Sequence, residues 1–245
     1  MGYTTGVATR VRRLGPSVAG ISVLLAVQCL CSGACIALLW LRMQRTGSEE
    51  LSFLSWNLVL AWVPMLFAFL TYVAHRRRAP AFVSATFAAG WLIFLPNAPY
   101  IVTDIIHLGH TWERVPLWYD VVLLAAFGGT GLLIGYSSLF LIQTVVAERM
   151  GAFAAWAGTL AMILLSSVGI YIGRILRLNS WDAFLHPGAV ATGLFRSRLT
   201  DPLGHPGLAT LAIAMTVILL TGYLVFFGMA TTIQHAALRR QSVLD

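Results

Sequence analysis

The chain carries no lysine and little charge of any kind: charged residues fill 10% of its 245 positions, where a soluble domain uses roughly 25%. That scarcity excludes a water-facing globular surface. All sixteen basic residues are arginine, so the formal net charge of +7 persists at any ordinary pH. These arginines fall in short runs between apolar segments instead of on one soluble face, which excludes nucleic acid as a partner. Cysteine is scarce as well. Cys29, Cys31 and Cys35 all lie in the first apolar run, with no partner elsewhere and no CxxC spacing, which excludes a disulfide framework and reads as small membrane-buried residues.

Catalytic signatures are missing too. There is no HExxH, no paired acidic motif of the metal-dependent kind and no GxSxG, so neither a metal nor a serine nucleophile is indicated. No cofactor is expected. The first apolar run, residues 18–41, exceeds the ~7 to 15 residue core of a cleaved signal peptide. It is expected to remain as an anchor.

What the chain has in abundance is apolar length. Hydrophobic residues make up 58% of it and the mean hydropathy is +0.81. Runs near residues 18–41, 53–74, 81–101, 117–145, 153–175 and 207–232 are each long enough to cross a hydrocarbon core ~30 Å thick. The expected fold is therefore all-α, an integral membrane bundle of about six transmembrane helices in one transmembrane domain over residues 1–245. Lipid is its first partner; the sequence does not fix an oligomeric state. The third run is broken at Pro96-Asn97-Ala98-Pro99, where two prolines remove two backbone donors. Either a kinked helix or a short re-entrant element results.

Arg10, Arg12, Arg13, Arg76, Arg77, Arg78, Arg149, Arg239 and Arg240 would lie on one side. The positive-inside rule makes that side cytoplasmic. The expected location is the cell inner membrane, with both termini in the cytoplasm. The loop after the third crossing and the connection after the fifth then share the outer side.

Ionisable groups near lipid are costly, by ~2.5 to 3.5 kcal/mol at a helix centre on insertion scales, so their positions are informative. Here they gather. If the chain after Pro99 is helical, Asp104, His107 and His110 share a face, and Asp120 opens the fourth crossing on the same side. Arg174 and Arg177 end the fifth, followed by Asn179, Ser180, Trp181, Asp182 and His186. Asn179 or Ser180 suits a helix N-cap, with Asp182 in the first turn.

Two readings stand. In one, Asn97, Asp104, His107, Arg174, Arg177, Asn179 and Asp182 form an outward-facing ligand site: the arginines supply a fork for a phosphate or carboxylate, and Asp104 with His107 an acid–base pair. In the other, the arginines snorkel or pair with Asp104 and Asp182 to hold helix ends together, Asn97 satisfies freed backbone groups, and Trp112, Trp118 and Trp181 form an interfacial belt. Gly131-xxx-Gly135 and Gly169-xxx-Gly173 allow close helix approach, within the bundle or between copies.

Phe94-Leu95-Pro96-Asn97-Ala98-Pro99-Tyr100 with Thr103, Asp104, His107 and Leu108, and Gly173-Arg174 with Arg177, Asn179, Ser180, Trp181 and Asp182, resemble a bacterial membrane family catalogued as domain of unknown function 1361. The resemblance spans the second to the sixth crossing. It implies a multi-pass bacterial inner-membrane protein and no particular substrate. The leading expectation is recognition of an anionic lipid or lipid-linked ligand. The alternatives are a small-solute or ion transporter, and a structural or assembly partner of other membrane proteins.

Overall fold

A computed structural model describes residues 16, 18–109, 115–174, 188, 192 and 208–244. Among these residues the structure is helical, with no strand. The elements are α1 (Val18–Thr46), α2 (Phe53–Arg76), α3 (Ala81–Phe94), α4 (Asn97–Tyr100), a 3-10 helix (Ile101–Gly109), α5 (Leu117–Met150), α6 (Ala152–Arg174) and α7 (Leu208–Leu244). Among the described residues six crossings are long and apolar enough for a membrane, the third being the composite Ala81–Leu108.

That third crossing bends instead of turning back. Pro96 and Pro99 have no N–H, and the backbone compensates locally: Leu95 N–H donates to Trp91 O (2.8 Å), Ala98 N–H to Leu95 O (3.2 Å) and Tyr100 N–H to Pro96 O (3.1 Å). A tighter winding follows as the 3-10 helix. The sequence left a kink and a re-entrant element open; the structure has the kink.

Glycines make room for the bend. A methyl group at Gly131 would lie 2.6 Å from the Ala98 carbonyl oxygen, and one at Gly135 would lie 3.1 Å from Ala98 Cβ. From the other side, a methyl at Gly169 would lie 2.6 Å from Pro96 Cγ. The bent segment is thus wedged between α5 and α6, and the space beside Gly131, Gly135 and Gly169 is filled from within the chain. Gly131→Ala is expected to cost about 1–3 kcal/mol through overpacking against a backbone oxygen that cannot rotate away. Gly129→Ala, which would meet nothing within 4 Å, should cost nothing, and thermal melts of the two purified variants make the comparison.

α5 is the central helix, and its polar residues bond to helices all around it. Ser137 accepts from Gln28 of α1 (2.7 Å), and Ser138 from Trp91 of α3 (3.1 Å). Gln143 accepts from Tyr223 of α7, and Glu148 pairs with Arg76 of α2 (2.9 Å). In lipid no hydrophobic force favours one apolar helix contact over another, so such bonds help set which helices meet. Gly151, at φ 91°, reverses the chain between α5 and α6 in a conformation strained for other residues.

Candidate functional site

Chain reversal at each crossing brings the C-terminal ends of α1 and α6, the 3-10 helix, and the N-terminal ends of α2 and α5 to one end of the bundle. Most of the buried charge lies there.

With about three residues per turn, the 3-10 helix lines up Ile101, Asp104 and His107. Ile101 and Asp104 are each 1% exposed. Asp104 is engaged on both oxygens: Oδ2 accepts from Asn57 Nδ2 of α2 at 2.9 Å, and Oδ1 accepts from Arg174 Nη2 of α6. Arg174 also donates to Thr103 Oγ1 from Nε (2.9 Å) and Nη2 (2.7 Å), and the Thr103 hydroxyl donates to Tyr100 O (2.6 Å). Its guanidinium lies over the Tyr100 ring, 4.6 Å from the centroid, a cation–π contact. Three helical elements are joined through one carboxylate. Charge-assisted bonds are strong in so dry a place, and each partner removes most of the other's desolvation penalty.

A second ion pair lies at the same end. Arg42 of α1 grips Asp120 of α5 with both prongs of its fork, Nε to Oδ1 at 2.7 Å and Nη2 to Oδ2 at 3.2 Å. Both residues are 2% exposed, and Arg42 Nη1 is buried without a partner among the described residues. Tyr119 donates to Leu38 O at 2.8 Å one turn earlier on α1, fixing the two helices side by side. This pair carries α1 on to Thr46: Arg42, the first charge after the apolar run, stays helical because its counter-ion is inside the bundle.

Of the residues singled out in the sequence, Asp104 and Arg174 are brought into direct contact. Half-buried Asn97 opens α4 at the bend, and His107 packs its ring against Phe53, 4.9 Å between centroids. Arg177, Asn179 and Asp182, like His110 and His186, lie outside the described residues. Sequence reasoning missed Arg42 and the part played by Asn57. Arg42 is the first basic residue beyond an apolar run and faces an acid, Asp120, in the first turn of a crossing at the same end. Asn57 sits one turn inside α2, again at that end. Shared depth was the available signal; neighbourhood was not.

Beside the bend, Leu95, Pro99, Gly135, Tyr136, Ile163 and Leu219 line an apolar cavity of about 20 Å³. That is room for about one water molecule. The Tyr136 hydroxyl is buried beside Gly222 without a hydrogen-bond partner among the described residues.

Long apolar helices whose buried charges are neutralised in pairs define a multi-pass integral membrane protein. The chain belongs to the family described as Protein of unknown function (DUF1361), whose model matches residues 56–222. Asn57, the bent third crossing, Asp104 and Arg174 all fall within that match, whereas Arg42 precedes it. No curated protein and no solved structure matches the chain.

Proposed function

We propose that this protein binds an anionic group, the phosphate or carboxylate of a lipid or lipid-linked ligand, at the bundle end carrying Asp104 and Arg174. The observation that supports the reading is the state of Arg174. Its side chain is 14% exposed, and its guanidinium is held in one orientation by Thr103, Asp104 and the Tyr100 ring. A cation fixed in advance at a membrane boundary binds an anion with little ordering cost, and its fork matches phosphate or carboxylate oxygens. An arriving anion shares Arg174 with Asp104, and Arg177, three residues on in the sequence, supplies further positive charge. On this reading the ligand's charged group sits at the rim, above a buried floor, and its apolar part lies along the lipid-facing helices.

The test uses the full chain in detergent with a short polyprenyl phosphate and the corresponding neutral polyprenol, followed by native mass spectrometry. Retention of the phosphate over the alcohol is expected in the wild type and is expected to fall at least about tenfold in Arg174→Gln, the loss of one charged hydrogen-bonded contact. Arg174→Lys, which keeps the charge without the fork, should fall between. Equal retention of both probes by the wild type would remove the proposal.

One observation favours a second, purely structural reading: both Asp104 oxygens are already bonded within the chain. On that reading the network ties α2, the bent crossing and α6 together and meets no ligand. Folded Arg174→Gln that keeps full wild-type discrimination between the two probes would favour it.

A further inference from the structure

At the opposite end of the bundle, α2, α3 and α5 present a second polar cluster, unconnected with the ligand reading above. Arg149 Nε donates to His75 Nδ1 (3.0 Å), and Arg149 Nη2 donates to Ser84 Oγ (3.2 Å). A ring nitrogen that accepts carries no hydrogen, so the hydrogen of His75 is on Nε2, which donates to Glu148 Oε2 at 2.8 Å. Arg76 bonds the other oxygen of Glu148 at 2.9 Å and covers the Tyr72 ring at 4.8 Å.

Arg149 is an oriented guanidinium whose acceptors among the described residues are a ring nitrogen and a hydroxyl, neither of them a carboxylate. Arg77 and Arg78, both exposed, stand beside it where α2 ends. The excess is positive and faces outward. Next to it, lipid-facing apolar side chains begin at once: Phe82 is 71% exposed, Met150 72% and Phe153 89%. A fixed cationic cluster bordering an apolar skirt matches, in order of depth, a phosphate and the acyl chains attached to it.

We propose that this end of the bundle binds the phosphate of an anionic phospholipid, held by Arg149 and Arg76 with Arg77 and Arg78 close by, its acyl chains lying along Phe82 and Phe153. His75 and Ser84 are positioning residues that aim Arg149, and Glu148 orients Arg76.

The experiment equilibrates the full chain with mixed micelles of equal phosphatidylglycerol and phosphatidylcholine and reads the bound lipids by native mass spectrometry. The wild type should enrich phosphatidylglycerol. Each arginine removed from such a surface weakens attraction to anionic lipid by about fivefold, so Arg149→Gln should lower the enrichment by that factor, while Ser84→Ala, which only loosens the aim, should lower it less. If Arg149→Gln does not fold, the exposed pair Arg77→Gln/Arg78→Gln should lower the enrichment by about twenty-five-fold, the same factor for each of two arginines. Equal binding of the two lipids by the wild type overturns the proposal, as does unchanged enrichment in the folded variants. So does loss of the enriched lipid on adding millimolar inorganic phosphate, which would mark a site for the free ion. Enrichment lost in folded Arg174→Gln but kept in folded Arg149→Gln would assign the lipid to the other end and overturn the proposal, so this result and the polyprenyl phosphate result fail separately.

Discussion

Replacing Arg42 with methionine is expected to destabilise the protein by about 3–5 kcal/mol, the usual consequence of leaving one member of a buried ion pair without its partner. Asp120, 2% exposed, would then be a carboxylate among helices with no cation in reach among the described residues. The double variant Arg42→Met/Asp120→Leu should recover most of the loss, because two apolar residues need no desolvation and fill similar volume. Recovery is all the more expected since Arg42 Nη1 already lacks a partner, so the native pair is itself incompletely satisfied. Thermal midpoints of the single and double variants, followed by fluorescence-detected size exclusion, decide it. A double variant no more stable than the single would show that α1 is held to α5 by something other than this pair.

Asp104→Ala should be comparably damaging for a different reason. One carboxylate serves Asn57 and Arg174 together, so its removal breaks this bond of α2 to the bent crossing, leaves Arg174 only Thr103 and the Tyr100 ring there, and deprives a guanidinium that is only 14% exposed of its counter-ion. A cost of about 3–5 kcal/mol is expected. Asp104→Asn keeps an oxygen to accept a hydrogen bond and should cost less. Adding Arg174→Gln to Asp104→Asn should restore part of the stability, since two neutral amides can bond where a lone cation could not. The melting series Asp104→Ala, Asp104→Asn and the Asn/Gln pair tests this. If Asp104→Ala melts with the wild type, the network is not what holds the bend in place.

Much of the architecture was legible in the residues. Apolar runs of crossing length need no tertiary knowledge to be recognised, and two prolines within four residues announce a disturbed helix wherever they fall. Asp104 and Arg174 stood out because charge at a membrane boundary is expensive and has to be compensated. Their contact was one of several permitted pairings: Arg174 could equally have reached for head groups or for Asp182.

Arg42 shows why the rest was hidden. As the first charge after an apolar run it reads as the end of a helix in water, and it does so correctly unless a counter-ion lies inside the protein. Asp120, 78 residues later, is that counter-ion, and no local pattern connects the two. Asn57 is hidden in the same way, a neutral amide whose role depends on the carboxylate opposite. The glycine faces are a third case. Spacing alone allowed Gly131, Gly135 and Gly169 to serve a second copy or the same chain, and the choice rests on where the bend at Pro96–Pro99 goes.

The sequence by itself determined that this chain lives in lipid, where its crossings run, and that the third is interrupted, because each of these follows from local composition measured against a bilayer of fixed thickness. Only the tertiary structure decided which charges meet, that the interrupted crossing is kinked and wedged between α5 and α6, and that α5 is the helix to which the others bond. The physical reason is that lipid is indifferent to which apolar face it touches. Helix arrangement is therefore left to a few hydrogen bonds, ion pairs and glycine clefts, whose partners are distant in the chain.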